Sequence, residues 1–272
     1  MANPTEITAA KLIRLAGTPN APDIVDVRIL DDYLADQRIL PAAVRRSHKT
    51  VSDWAELYTG REVVVVCHHG AKLSQGAAAW LRHAGVDAVS LEGGFEGWKE
   101  AGLPLIPVAK LPSQEFSGKS VWVTRQRPKV DRIACPWLVR RFVNRDAVFL
   151  FVAPAEVLAV AERFGGTAFD IENTFWSHRG EACTFDVMLE EFGLQTEPLL
   201  RLATIVRGAD TARQELAPEA AGLLAVSLGL SRMFADDTQQ LDAGMVVYDA
   251  LYRWCRDATD ETHNWPTNKV KP

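Results

Sequence analysis

Between residues 5 and about 108, short apolar runs alternate with segments whose apolar residues recur every three or four positions: TEITAAKLIRLAG, PDIVDVR, DDYLADQR, REVVVVCHHG, SQGAAAWLRHAG, DAVSLEGG and FEGWKEAG succeed one another. Strands alternating with amphipathic helices predict an α/β fold with a parallel sheet covered by helices, since parallel neighbours need a crossover connection. The unbroken valines at 63–66 predict a strand buried on both faces. After Gly102 the stretch LPLIPVAKLPSQEFSGKS concentrates Pro, Ser and Gly. This predicts a linker at 109–118 between a domain at 1–108 and another at 119–272. Beyond it VWVTR, AVFLFV and TAFDI read as strands around a helix near ACPWLVRRFV, with a helix start at Cys135-Pro136. From residue 184 onward TFDVMLEEFG, EPLLRLATIVRGA, PEAAGLLAVSLGL and DTQQLDAGMVVYDALYRWCRD carry helical spacing. The second domain is expected to be mixed α/β and rich in helices, ending in a loose NWPTNKVKP tail.

Composition agrees with two folded domains: 272 residues, 47% hydrophobic and 24% charged, exclude a disordered or fibrous chain. Thirty Lys plus Arg against 35 Asp plus Glu leave a net charge of −5, which argues against wholesale nucleic-acid or anionic-membrane binding. The first residues lack the apolar core of a secretory signal, and no segment approaches about 18 uninterrupted apolar residues. The expectation is a cytoplasmic protein with no membrane partner. Cys67, Cys135, Cys183 and Cys255 lie far apart with no CxxC pair, so neither a disulfide framework nor a thiolate zinc finger is indicated.

Cys67 follows the valine strand at its carboxyl end, where open parallel sheets bind ligands, and a helix is expected to begin near Ser74. The loop His68, His69, Gly70, Ala71 and Lys72 would turn successive N–H groups towards the thiol, and the helix end adds a positive dipole. Cys67 is therefore the candidate nucleophile. The loop CHHGAK, the upstream DVR at 26–28 and the closing GGFEGWKEAGLPL resemble a rhodanese domain across residues 5–108. The resemblance implies a sulfurtransferase that carries sulfane sulfur as a Cys67 persulfide. His68, His69, Gly70, Ala71 and Lys72 would bind substrate, with thiosulfate or 3-mercaptopyruvate as the type of donor, a thiol as acceptor and no required cofactor. Lys72 stands where the family usually has Arg, and Ile39-Leu40-Pro41-Ala42-Ala43 replaces a common His-Ile-Pro-Gly-Ala pattern. A phosphatase of related shape needs Arg six residues after the cysteine, where this chain has Leu73. The alternative reading is an inactive loop in a domain that only binds a partner.

Residues 125–145 hold Arg125, Arg127, Lys129, Arg132, Arg140, Arg141 and Arg145 against Asp131 alone. Such a run suits an oxyanion, a phosphate backbone or an acidic partner, or else a solvated face paired with Asp131, Glu172 or Asp210. The segments TRQRPKVDRIACPWLVRRF, FDIENTFWSHRGEACTFDVML, IVRGADT and YDALYRWCRD resemble the ChrB C-terminal domain family of chromate-resistance proteins. That resemblance implies a role in chromate resistance or response. Arg125, Arg127, Arg132 and Arg140 are then candidates for binding chromate or another oxyanion, and Cys135 for reducing it. A non-enzymatic chromate-responsive regulator is the alternative.

In FDIENTFWSHRGEAC, Asp170 and Glu172 are expected on one face of a strand, followed by His178, Glu181 and Cys183 in a loop. Asp170, His178 and Cys183 are candidate ligands for a divalent metal, which would admit metal-dependent redox chemistry, with hydrogen-bonded structural roles as the alternative. Asp210 is expected to pair with Arg207 or the basic run. Tyr248, Tyr252, Trp254 and Cys255 are expected in the core.

Overall fold

The computed structural model describes residues 4–112 and 120–261. Its first half comprises β1 (Glu6–Ile7), α1 (Ala9–Leu15), β2 (Asp23–Asp26), α2 (Leu30–Ala35), β3 (Arg38–Ile39) and β4 (Ala43–Arg45). Then come α3 (Val51–Trp54), β5 (Glu62–Val66), α4 (Lys72–His83), β6 (Asp87–Leu91), α5 (Gly94–Glu100) and β7 (Ile106–Pro107). Five strands form a sheet in the order β1-β6-β5-β2-β4, every neighbouring pair parallel. The valine strand lies at its centre, and the period of two sorts its side chains. Val63, Val65 and Cys67 pack with Ala77, Ala78 and Leu81 of α4 and Trp54 of α3. Val64 and Val66 join the other core, with Leu12 of α1 and Phe95 and Trp98 of α5. β7 returns antiparallel to β3 and closes the unit.

The second half contains β8 (Val121–Arg125), α6 (Val130–Leu138), β9 (Val148–Val152), α7 (Val157–Arg163) and β10 (Thr167–Ala168). It continues with α8 (Thr184–Glu191), α9 (Glu197–Asp210), α10 (Ala220–Met233) and α11 (Asp237–Asp257). The strands form a parallel sheet in the order β10-β8-β9. Trp137 is the hub of the helical core, with the rings of Phe142, Tyr252 and Tyr248 centred 5.8, 5.5 and 6.2 Å away. Tyr248, Tyr252 and Cys255 are buried as expected, and Trp254 packs half-buried at the edge of the same core. Among the described residues no helix is long and apolar enough to cross a membrane.

Two local expectations are corrected. The helix of the basic run starts at Val130, five residues before Cys135, and Pro136 lies inside it. Proline has no N–H for the Arg132 carbonyl, and the helix runs on into a π-helical turn over Val139–Val143, closed by the Asn144 N–H on the Val139 carbonyl at 2.8 Å. The strand expected in TAFDI ends at Ala168, because Asp170 takes a left-handed φ of 52°. Asp170 and Glu172 therefore share no strand face. Residues 113–118 of the expected linker, and the NWPTNKVKP tail, lie outside the described residues.

The two halves share one apolar core, with Leu12, Trp98 and Ile106 in the same cluster as Trp137 and Phe142. The π-helical turn is a principal contact. The Phe142 carbonyl accepts the Ala42 N–H at 2.6 Å, and Arg145 reaches Asp23 at 3.3 Å and the Ala21 carbonyl. Ala42 occupies the position of the rhodanese pattern's glycine and keeps that conformation, φ 59°, at a cost of about 1–2 kcal/mol for an L-residue. Ala42→Gly should therefore stabilise the protein by about 0.5–1 kcal/mol after the loss of unfolded-state restriction. Urea denaturation reads this directly, and a destabilised variant would show that the methyl group's packing outweighs the strain.

Candidate functional site

Cys67 lies one residue past β5, and α4 begins at Lys72, slightly earlier than the sequence suggests. The residue is 5% exposed. Its Sγ lies 3.1 Å from Ser74 Oγ and 3.4 Å from the Ala71 carbonyl oxygen, to which Ser74 Oγ donates at 3.1 Å. Around it His69, Ala71 and Lys72 are exposed, His68 is half-buried and Gly70 buried.

The loop is held by backbone-on-backbone packing. Gly70 has φ 70°, and a Cβ there would lie 2.4 Å from the Leu91 carbonyl oxygen and 2.6 Å from the Gly94 nitrogen. A Cβ on Gly94, φ 59°, would lie 2.3 Å from the Gly70 nitrogen and 2.4 Å from the Cys67 carbonyl oxygen. Only glycine fits at either position. The first turn of α5 then donates to the loop, Phe95 N–H to the Cys67 carbonyl at 2.9 Å and Glu96 N–H to the His68 carbonyl at 3.0 Å. By contrast, the N–H groups of residues 68–73 have no acceptor among the described residues, and α4 has no side-chain cap. Lys72 makes no ion pair among the described residues. Unengaged donors and a free ammonium at the start of a 12-residue helix suit an anion. His68 and His69 touch edge to face, 4.3 Å between ring centres, with His68 Nδ1 buried and unpaired 3.9 Å from Glu96.

The DVR motif explains how α5 is held there. Asp26 and Arg28 form a buried pair, Nη2 and Nε donating to Asp26 Oδ2 at 2.7 and 2.9 Å. The guanidinium also donates to the Asp36 and Arg38 carbonyls and lies 3.8 Å from the centre of the Phe95 ring. It therefore braces the residue whose N–H holds Cys67.

The basic run does not assemble an oxyanion cradle. Arg125 and Arg132 both pair with Asp170, at 3.2 and 3.3 Å. Arg127 donates to the Ser231 and Phe234 carbonyls, and Arg140 turns to Asp242 at 3.5 Å and the Phe149 ring. Cys135 is 0% exposed, and burial, reinforced by the Asp131 charge, pushes its thiol well up. A thiol without solvent contact and held protonated is no reductant for a dissolved anion, which corrects the redox assignment. Cys183 is likewise fully buried with its thiol pushed up by burial, and it caps α8 instead of joining Asp170 and His178.

Asp170 and His178 do come together, with two carboxylates that sequence reasoning assigned elsewhere. His178 Nε2 lies 3.4 Å from Asp131 Oδ2, 3.4 Å from Asp170 Oδ1 and 3.3 Å from Asp210 Oδ2. Asp131 comes from the first turn of α6, Asp170 from beyond β10 and Asp210 from the end of α9. Thr184 orients two of them, its N–H on Asp131 Oδ2 at 2.6 Å and its hydroxyl on Asp170 Oδ1 at 2.9 Å. Burial pushes Asp131 up to about 7, whereas the carboxylates of Asp131, Asp170 and Asp210, which face the His178 N–H as acceptors, push His178 up to about 12. Burial works against ionised Asp170, but hydrogen bonds from His178 and Thr184 and the charges of Arg132 and Arg125 hold it below its ordinary value. The available signal for Asp131 was its isolation among seven cations. Alkylation with iodoacetamide at pH 7–9, mapped by mass spectrometry, should leave Cys135 and Cys183 unmodified until the chain is unfolded. Early labelling of either would contradict their burial.

In comparison with known proteins, residues 122–255 match the ChrB, C-terminal domain family and residues 8–101 the rhodanese-like domain family. Protein ChrB of Cupriavidus metallidurans is 33% identical over 144 residues, 51% of this chain and 41% of that one, so the chain spans less than half of that relative's length. Thiosulfate sulfurtransferase GlpE of Actinobacillus succinogenes is 34% identical over 103 residues, 37% of this chain and 89% of that one. A crystal structure of a rhodanese-related protein from Thermoplasma volcanium covers 37% of this chain and 96% of its own, at 25% identity and a TM-score of 0.33. The chain belongs to the rhodanese-like family through residues 8–101, and its residues 122–255 are similar to the ChrB, C-terminal domain family.

Proposed function

We propose that the first domain is a sulfurtransferase that carries sulfane sulfur on Cys67. The observation that supports this best is one cysteine at the carboxyl end of β5 followed by a loop whose N–H groups at residues 68–73 have no acceptor among the described residues, and by the uncapped start of α4 with Lys72. The Cys67 thiolate attacks the outer sulfur of a donor such as thiosulfate. A new S–S bond forms, the donor's S–S bond breaks, and sulfite leaves with the electron pair. An acceptor thiolate then attacks the outer sulfur and returns Cys67 as thiolate. The loop N–H groups and Lys72 stabilise the anionic donor and the persulfide, while Ser74 Oγ, 3.1 Å from Sγ, can donate to the sulfur once its proton has left. The transfer calls on no cofactor, and 3-mercaptopyruvate is the other donor type that fits.

A chromate-responsive regulator or oxyanion-binding protein rests on similarity to ChrB alone. The engagement of Arg125, Arg127, Arg132 and Arg140 by carboxylates and carbonyls takes support away from direct oxyanion binding by that cluster.

Incubation with thiosulfate followed by peptide mass mapping should find a one-sulfur adduct on Cys67. The adduct should be absent in Cys67→Ala and kept in Cys135→Ala; equal loading of the two variants would refute the assignment. Lys72→Arg supplies the two-pronged donor that suits a thiosulfate-like group and should lower the KM for thiosulfate by about three- to tenfold. An unchanged KM would place the donor away from α4.

A further inference from the structure

We infer that His178, Asp131, Asp170 and Asp210 form a binding site for one divalent first-row metal ion in the second domain, apart from the Cys67 chemistry. The ligand atoms of Asp131, Asp170 and His178 all lie within 4.8 Å of one another, and Asp210 approaches the same His178 nitrogen from α9. One nitrogen facing three carboxylate oxygens at 3.3–3.4 Å is a poor hydrogen-bonding arrangement. A single N–H can point at one oxygen only, and a charged hydrogen bond would close to about 2.7–2.9 Å. The nitrogen-to-oxygen spacings suit a shared metal, since bonds of about 2.0–2.1 Å in a tetrahedron put neighbouring donor atoms about 3.3–3.4 Å apart; His178, Asp131 and Asp170 form the compact set and Asp210 reaches it through the His178 side.

A second observation is independent of that spacing. Asp131 is 1% exposed, and its Oδ1 is buried with no hydrogen-bond partner among the described residues. Buried carboxylate oxygens are normally satisfied, and a cation beside this one would supply what the protein does not. Supporting groups are in place too. Thr184 donates to Asp131 Oδ2 and Asp170 Oδ1, and Arg125 and Arg132 occupy Asp170 Oδ2, which leaves Oδ1 towards His178. Outer contacts of this kind fix the orientation of ligating carboxylates. His178 is 40% exposed, which gives an ion access from solvent.

One imidazole with three carboxylates and no thiolate selects ions that accept both nitrogen and oxygen, such as Mn²⁺ or Zn²⁺, over thiophilic ones. The full-length protein, stripped with a chelator, should take up one Mn²⁺ or Zn²⁺ per chain in equilibrium dialysis read by elemental analysis. The same ion should raise its Tm. His178→Ala, on a half-exposed loop, and Asp170→Asn should bind about tenfold or more weakly and lose the rise in Tm. Cys67→Ala and Cys183→Ala should bind like the unaltered chain. A His178→Ala protein whose metal-free Tm matches the unaltered chain establishes that the loss is not misfolding. Failure of the unaltered chain to bind either ion, or equal binding by His178→Ala, would overturn the site and leave a protonated His178 as the cation among the carboxylates.

Discussion

Parallel pairing lines up the carboxyl ends of all strands of a sheet on one edge, and that constraint places everything chemical in this chain. Cys67 stands one residue beyond β5, and α4 starts from the same edge with the N–H groups of Lys72 and Leu73 unengaged among the described residues. In the second half, Asp131 lies in the first turn of the helix that leaves β8, and Asp170 is two residues beyond β10. Thr184 at the start of α8 meets both carboxylates there. Strand ends and helix starts thus supply polar groups that the ladders and helices cannot satisfy internally, in one case facing a thiol and in the other a histidine.

The opposite edges do the joining. Arg145 precedes β9 and contacts Asp23 at the start of β2, and the Phe142 carbonyl contacts Ala42 just before β4. Arg256, at the end of α11, donates to the Arg14 carbonyl near the end of α1. Glu191 at the end of α8 pairs with Lys110 at 2.6 Å. Apart from Lys110, which follows β7, these groups sit where strands begin or helices finish.

Much of this was legible in the chain and some was not, for identifiable reasons. A strand of consecutive valines between turn signals is readable because burial on both faces removes polar residues altogether. The short GG and DVR signals were readable because their spacing repeats a known pattern; the backbone collision that demands glycine at 70 and 94 is invisible without coordinates. The arginines do not pool into one open anion site because each is taken up by a partner that the local sequence does not show. Their partners lie far away: Asp170 is 45 residues from Arg125, Asp242 is 102 from Arg140, and Asp23 is 122 from Arg145. The same distance hid Asp210, 79 residues from Asp131, from the His178 cluster. Pro136 suggested a helix start because proline favours the first turn, but the buried face of α6 kept the helix going on both sides of it.

Four cysteines of one chemical type end in different surroundings, and the surroundings decide what each can do. Cys135 and Cys183 lie under the carboxylates of the second domain, where burial and the Asp131 charge both oppose a thiolate. Cys255 is pushed up to about 11 by burial despite the opposing charge of Arg201. Cys67 is also largely covered, so exposure alone does not single it out. What distinguishes it is the loop that follows, whose N–H groups have no acceptor among the described residues, the uncapped helix start and a Lys72 ammonium without an ion pair among the described residues; its sulfur meets Ser74 Oγ and the Ala71 carbonyl and no carboxylate among them. If sulfur chemistry resides in this chain, the local field confines it to the first domain. The carboxylates that add to burial in keeping Cys135 protonated, Asp131, Asp170 and Asp210, are the same groups that converge on His178.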